Sequence, residues 1–241
     1  FNPQDLSNTA WAFATAGHQA LQLFNAISAE AVRLRLGGFN AQGLSNLAWA
    51  FAVVGPPSAD ELFSPASFST RCAHLGTTFS RNNLSQLHQW SLWREECGAR
   101  WPGLPDSLQR ACRDAFVETE GRPSQLQSHV VREIRSRGYN VEEEHRCEAS
   151  GYSIDALVTL KDDSKIAVEV DGPSHLSASR ISRLAPRCSS GASCATLDGV
   201  SRACPTGSGI PKRSCTGCES PLEPMGSLVA AAMRMCMQSA P

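Results

Sequence analysis

The sequence opens with FNPQDLSNTAWAFATAG (residues 1–17) and repeats this pattern as FNAQGLSNLAWAFAVVG (residues 39–55). Twelve of the 17 aligned positions are identical, and the two copies are 38 residues apart. A third, more divergent copy begins near Phe79. Each copy opens with a polar cap region, at Asn2 and Asn40, and ends at a glycine, Gly17 and Gly55, where a helix C-terminus favours one. Apolar residues in each copy recur at the spacing of one helix face, and a second helix is predicted between residues 20 and 36. Two helices in each repeat predict stacked helical hairpins, which form an α-solenoid.

Polar side chains also recur at equivalent positions of the repeat. Gln4 is equivalent to Gln42, and Asn8 is equivalent to Asn46. These four residues are candidate RNA contacts, because RNA-binding helical repeats read one base per repeat through two or three side chains. Capping or cross-linking of neighbouring helices is an equally good interpretation of Asn8 and Asn46.

Tryptophan occupies one further repeated position, as Trp11 and Trp49. Both residues lie on the apolar stripe of the predicted helix, so we expect them to be buried in equivalent positions of the solenoid core. Stacking of RNA bases on these rings would instead require that they be exposed.

The two complete units resemble octotricopeptide repeats, the helical hairpins of organellar RNA-maturation and translation factors in algae and related protists. They are also similar to the helical region of FAST-kinase-like mitochondrial proteins. The resemblance covers residues 1–96 and implies that this region positions RNA. With only two complete repeats and a partial one, we expect the region to read few bases and to bind weakly.

A different pattern follows the proline-rich break at residues 102–105. A helix is predicted from Ser124 to Arg137, with Ser124 as its N-cap and Gly138 after its end. Three strands are predicted to follow, at Tyr139–Cys147, Tyr152–Leu160 and Lys165–Asp171.

Acidic residues cluster on the second and third predicted strands. In the third strand, Ile166, Val168 and Val170 point to one face, whereas Ala167, Glu169 and Asp171 point to the other. Asp155 on the preceding strand can approach Glu169 across the sheet. With His175 just beyond the strand, these residues are candidate catalytic groups. Asp155 and Glu169 are also candidate ligands for Mg²⁺, which would polarise a phosphoryl oxygen and activate water. A solvated acidic face on a half-buried strand is the alternative interpretation.

The stretch IAVEVDGPSH (residues 166–175) resembles the signature of the RAP domain, and YSID (residues 152–155) resembles the strand that precedes it. RAP domains resemble restriction-endonuclease-like folds, and the end of this stretch is similar to very-short-patch-repair endonucleases. The resemblance implies RNA binding in mitochondria or plastids. Endonuclease-like folds usually carry lysine two residues after the glutamate, where this chain has Asp171, so the electrostatics of such a site would differ.

The expected fold class is therefore α+β. We predict an α-solenoid of octotricopeptide-like repeats at 1–96, a linker and helix at 97–123, and a truncated restriction-endonuclease-like RAP domain at 124–175. Residues 176–241 are rich in Ser, Gly, Cys and Pro and are predicted to be a disordered tail. The ten cysteines do not form a disulfide pattern, and only Cys215 and Cys218 have metal-ligand spacing, without a second pair.

Composition narrows the functional classes. The 241 residues carry 22 basic and 23 acidic side chains, which excludes a strongly basic nucleic-acid tail. No apolar run approaches the roughly 20 residues of a membrane helix, so no membrane association is expected. Protein-kinase motifs are also missing from the sequence, which gives no support for kinase activity.

The leading hypothesis is an RNA-binding organellar factor that acts in RNA processing, stability or translation. Its expected location is the mitochondrial matrix, with the chloroplast as the alternative. The sequence begins with Phe1 at the start of a repeat and is expected to be a fragment, in which no targeting peptide is visible. Other organellar RNA-processing proteins are candidate partners. The alternatives are a Mg²⁺-dependent endoribonuclease, with Mg²⁺ as the one candidate cofactor, and a protein–protein scaffold.

Overall fold

The computed structural model describes residues 1–118, 123–148, 150–161, 163–170 and 193–194. The chain divides into two compact units, which are described separately. We call residues 1–118 the helical unit and residues 123–170, together with residues 193–194, the α/β unit. The predictions on Asp171, His175, Cys215 and Cys218 lie outside the described residues, as does the segment 176–241 apart from residues 193–194.

Seven α-helices are described in the helical unit. Their bounds are α1 Pro3–Thr15, α2 Leu21–Arg33, α3 Ala41–Val54, α4 Ala59–Phe63, α5 Ser67–Leu75, α6 Arg81–Glu96 and α7 Asp106–Val117. The first helix of each repeat begins at an N-cap, at Asn2, Asn40 and Ser80, whose side-chain oxygen accepts the backbone N–H three residues on. The repeated N-caps define where these helices begin, because each cap satisfies a backbone donor that has no partner within the helix.

The first helices of the repeats form a continuous row in the helical unit. Helix α1 packs against α3, α3 against α6 and α6 against α7, whereas α2 packs against α4. Phe51 of α3 lies at the centre of the core and is fully buried. Its ring makes edge-to-face contacts with Phe24 of α2, at a centroid distance of 5.2 Å, and with Phe63 of α4, at 5.8 Å. These contacts join residues of the first and second repeats in one core.

The segment predicted as a linker with a helix is part of the core of the helical unit through residue 117. Trp101, Leu104, Leu108 and Cys112 are buried in the same apolar cluster as the repeats. The indole N–H of Trp101 donates to the carboxylate of Asp60 at 2.7 Å. This segment contains a helix, α7, as the sequence predicts, and the Pro-rich break at 102–105 redirects the chain without ending the packed region.

Cys72, Cys97, Cys112 and Cys147 are free thiols, as their scattered spacing predicts. Cys72 and Cys112 are fully buried in the helical unit. Burial raises the pKa of Cys112 to about 12 and raises the pKa of Cys72 further above its ordinary value. Both thiols are therefore protonated at neutral pH and act as small apolar groups of the core.

The α/β unit combines one described helix with a small sheet. Helix α8 spans Gln125–Ser136, and the strands are β1 Asn140–Arg146, β2 Ser153–Thr159 and β3 Lys165–Val168. These strands pair antiparallel in the order β1-β2-β3, and the two-residue strand β4, Ser193–Cys194, pairs parallel with β3. The helix and three strands predicted from sequence are present, and they confirm the α+β class.

One face of the sheet packs against α8. Val130 and Ile134 of α8 are fully buried against Val158 of β2 and Val168 of β3. The alternate residues of β2 and β3, including Leu157 and Ala167, form a separate buried apolar cluster. The alternation predicted for the third strand is therefore present in β3.

Candidate functional site

A groove of about 1100 Å³ crosses the first helices of the three repeats in the helical unit. Side chains of α1, α3 and α6 line it, together with the end of α5 and the turn that follows. None of the described lining residues carries a charge. Amide side chains dominate the lining instead: Asn8, Asn40, Gln42, Asn46, Asn82, Asn83 and Gln86.

Three of the four residues predicted to contact RNA line this groove. Asn8, Gln42 and Asn46 are among its walls, whereas Gln4 is exposed on the first turn of α1 and is not part of the lining. The groove crosses the middle turns of α1, at Asn8 and Trp11, so Gln4 in the first turn lies outside it. The repeat thus brings its equivalent polar positions onto one surface.

The two interpretations of the repeated asparagine apply to different copies. Asn46 is buried, and its side-chain oxygen accepts a hydrogen bond from Gln86 Nε2 at 3.2 Å, which joins α3 to α6. Gln86 holds the same position in the third repeat, six residues after the N-cap. Asn8 is exposed, and its side chain makes no hydrogen bond to any residue of the described ranges. Asn46 is therefore a cross-link, and the amide of Asn8 is available to a ligand.

The prediction that both repeated tryptophans are buried was correct for Trp49 and wrong for Trp11. Trp49 is 8% exposed, and its Nε1 donates to Gln89 Oε1 of α6 at 3.0 Å. Trp11 is 41% exposed and borders the groove. The residue equivalent to Gln89 in the second repeat is Trp49 itself, which offers no side-chain acceptor to the indole of Trp11. The tryptophan at this repeat position is therefore buried in the second repeat and exposed in the first.

The acidic residues of the α/β unit lie at the end of the β2–β3 pair. Asp155 Oδ2 accepts the backbone N–H of Val170 at 2.6 Å, just beyond β3. The β2–β3 register pairs Ala156 with Val168, so its continuation by one residue places Glu169 opposite Asp155. The predicted approach of Asp155 to Glu169 is consistent with this register. Asp171 and His175 lie outside the described residues.

Sequence reasoning missed a polar network beside Asp155. Gln127 of α8 is buried, and its Nε2 donates to Glu144 Oε1 at 2.6 Å and to the backbone oxygen of Asp155 at 3.2 Å. Ser153 Oγ donates to Glu144 Oε2 at 2.9 Å. Glu144 has a backbone φ of 51°, which is uncommon for a non-glycine residue in a strand. Ser124 and Gln127 have the spacing of a capping box, but that local signal does not predict the contact of Gln127 with the sheet.

The described residues do not complete a metal site around Asp155 and Glu169. No group of three His, Cys, Asp or Glu side chains in the described ranges is arranged to hold a metal ion. One carboxylate oxygen of Asp155 is used by the backbone of Val170, and Glu144 is bound to Gln127 and Ser153. We therefore derive no reaction step through Mg²⁺.

The hydrogen bond between Asp155 and Val170 leads to a testable prediction. We expect Asp155→Ala to destabilise the α/β unit by about 1–3 kcal/mol, because it leaves a partly buried backbone donor without its charged acceptor. Hydrogen exchange measured by NMR should show faster exchange of the Val170 amide. Asp155→Asn is the control, since its side-chain oxygen can still accept this bond. Equal protection of the Val170 amide in Asp155→Ala and the unmodified protein would contradict the prediction.

Comparisons with known proteins do not identify a relative. No protein-family model matches the chain, and no curated protein or solved structure shows significant similarity to it. Among the helices of the described ranges, none is long and apolar enough to span a membrane.

Proposed function

We propose that this chain is an RNA-binding protein and that single-stranded RNA binds in the groove of the helical unit. The observation that carries the proposal is the presence of repeated amide positions and the exposed ring of Trp11 on one uncharged groove. Together with the motif resemblances, it supports an organellar factor in RNA processing, stability or translation. In this proposal the row of helices is an octotricopeptide-like solenoid, the α/β unit is a RAP domain, and the location is the mitochondrial matrix or the chloroplast.

The chemistry of the groove suits unpaired bases. An amide side chain offers a donor and an acceptor side by side, which matches the hydrogen-bonding edges of nucleobases. Those edges are accessible in single-stranded RNA, whereas an RNA duplex presents mainly its backbone and 2′-hydroxyl groups. An exposed indole adds a flat surface on which a base can stack. The groove therefore favours single-stranded over double-stranded RNA.

The absence of charge from the described lining predicts how salt affects binding. For single strands, the slope of log K against log salt is about −0.7 for each phosphate that is neutralised. Because none of the described lining side chains is cationic, few phosphates should be neutralised and the slope should be shallow. A protein that bound RNA through Lys and Arg clusters would lose affinity much more steeply.

In the experiment, labelled single-stranded RNA of random sequence is titrated with the full chain, and fluorescence anisotropy monitors the binding. We expect weak, saturable binding whose slope against salt is shallower than about −1.5, which corresponds to no more than two neutralised phosphates. An RNA duplex of the same length should bind more weakly.

The same titration distinguishes the other hypotheses. Cleavage of the RNA only when Mg²⁺ is added would favour the endoribonuclease, and the absence of binding at low salt would favour the protein scaffold. Equal affinity for single-stranded and duplex RNA, with a steep salt dependence, would overturn the groove as the binding site.

A further inference from the structure

One repeated position carries amide groups that have no structural role in the helical unit. The second residue of the first helix in each repeat is Gln4, Gln42 or Asn82, and all three side chains are exposed. None of them makes a side-chain hydrogen bond to a residue in the described ranges. Gln42 and Asn82 line the groove, on the neighbouring helices α3 and α6.

The repeated position four residues further along the helix behaves differently. There Asn46 and Gln86 are bonded to each other and join α3 to α6. That position is therefore used to hold the helices together, at least in the second and third repeats. The free amides and the cross-linking amides occupy two different repeated positions of the groove lining, so these positions have distinct roles.

We infer that Gln42 and Asn82 determine the RNA sequence preference, and that each contacts one base of a bound single strand. The inference rests on the proposed function and assigns its specificity to two side chains. Neighbouring first helices pack side by side, so equivalent residues follow one another along the groove at one per repeat. This arrangement matches the reading of one base by each helical repeat. An amide at this position pairs well with adenine, which presents an adjacent donor and acceptor.

The test is a binding selection from random single-stranded RNA, carried out with the full chain and with Gln42→Arg and Asn82→Arg. Arginine binds the O6 and N7 atoms of guanine through two hydrogen bonds. We expect each variant to increase the preference for guanine about tenfold at one nucleotide. The nucleotide affected by Gln42→Arg should be adjacent to the one affected by Asn82→Arg, because α3 and α6 are neighbours.

Two controls separate base reading from added charge and from stability. Gln4→Arg adds the same positive charge at the equivalent residue of α1, outside the groove lining, and should leave the sequence preference unchanged. Phe51→Leu lowers the stability of the helical unit from a site outside the groove lining, so it should lower the melting temperature and leave the base preference unchanged.

The outcomes keep this inference distinct from the proposed function. If the unmodified chain binds RNA but Gln42→Arg and Asn82→Arg keep its base preference, the inference is overturned and the proposed function stands. An equal change of preference in Gln4→Arg would also overturn it, since charge alone would then explain the effect. Failure of the unmodified chain to bind any RNA would overturn the proposed function, and this inference with it.

Discussion

Phe51→Ala is expected to destabilise the helical unit by about 3–5 kcal/mol, which is the usual cost of removing a fully buried aromatic ring. Phe51 is 0% exposed and contacts both Phe24 and Phe63 edge to face. The substitution leaves a cavity where helices of two repeats meet and removes both ring contacts. The loss is a large fraction of the roughly 5–15 kcal/mol that stabilises a typical domain.

Phe13→Ala provides a matched control, because Phe13 occupies the equivalent position of the first repeat. Its side chain is 36% exposed, so we expect a loss below about 1.5 kcal/mol. Urea unfolding followed by tryptophan fluorescence measures both variants in the full chain, since all five tryptophans belong to the helical unit. Phe51→Leu retains most of the volume and keeps the comparison possible if Phe51→Ala does not fold. Similar losses for Phe13→Ala and Phe51→Ala would contradict the assigned packing.

Trp11→Ala is expected to weaken the binding of single-stranded RNA by about 5- to 150-fold, which corresponds to the 1–3 kcal/mol of one base–aromatic stacking contact. The fold should be preserved, because Trp11 is 41% exposed and makes no side-chain hydrogen bond to a described residue. Fluorescence anisotropy measures the dissociation constant, and circular dichroism checks the helix content.

Trp11→Phe should recover part of the affinity, since phenylalanine retains an aromatic face. Phe13→Ala is again the matched control: Phe13 is exposed on the same helix but does not line the groove, so its loss should leave RNA affinity unchanged. RNA should also quench tryptophan emission less in Trp11→Phe than in the unmodified chain. Equal RNA affinity of Trp11→Ala and the unmodified chain would exclude stacking on this ring.

Local sequence signals predicted the positions of most helices and strands. Asn2, Asn40 and Ser124 precede their helices as N-caps, and Gly55 and Gly138 follow the helix ends with a positive φ. These signals are reliable because a cap or a left-handed glycine acts on backbone groups only a few residues away. The alternation of Ile166, Val168 and Val170 likewise identified the face of the third strand that packs against α8.

The groove could be predicted only in part. The repeat indicated which polar positions are equivalent, and three of the four residues predicted to contact RNA line the groove. It gave no indication that Asn46 is bonded to Gln86 while Asn8 is free, because that difference depends on a partner 40 residues away. The third repeat supplies that partner, and its sequence has diverged furthest.

By itself, the sequence determined the α+β class, the period of the repeats and the faces of the helices and strands, because these follow from residue spacing along one element. Only the tertiary structure decided which of those faces are covered. Trp11 is 41% exposed and Trp49 is 8% exposed, although their local sequences are nearly identical. Their burial differs because the neighbouring helix presents different side chains to each ring. The contact of Gln127 with Glu144 is likewise decided by packing, because it joins a helix cap to a strand 17 residues away.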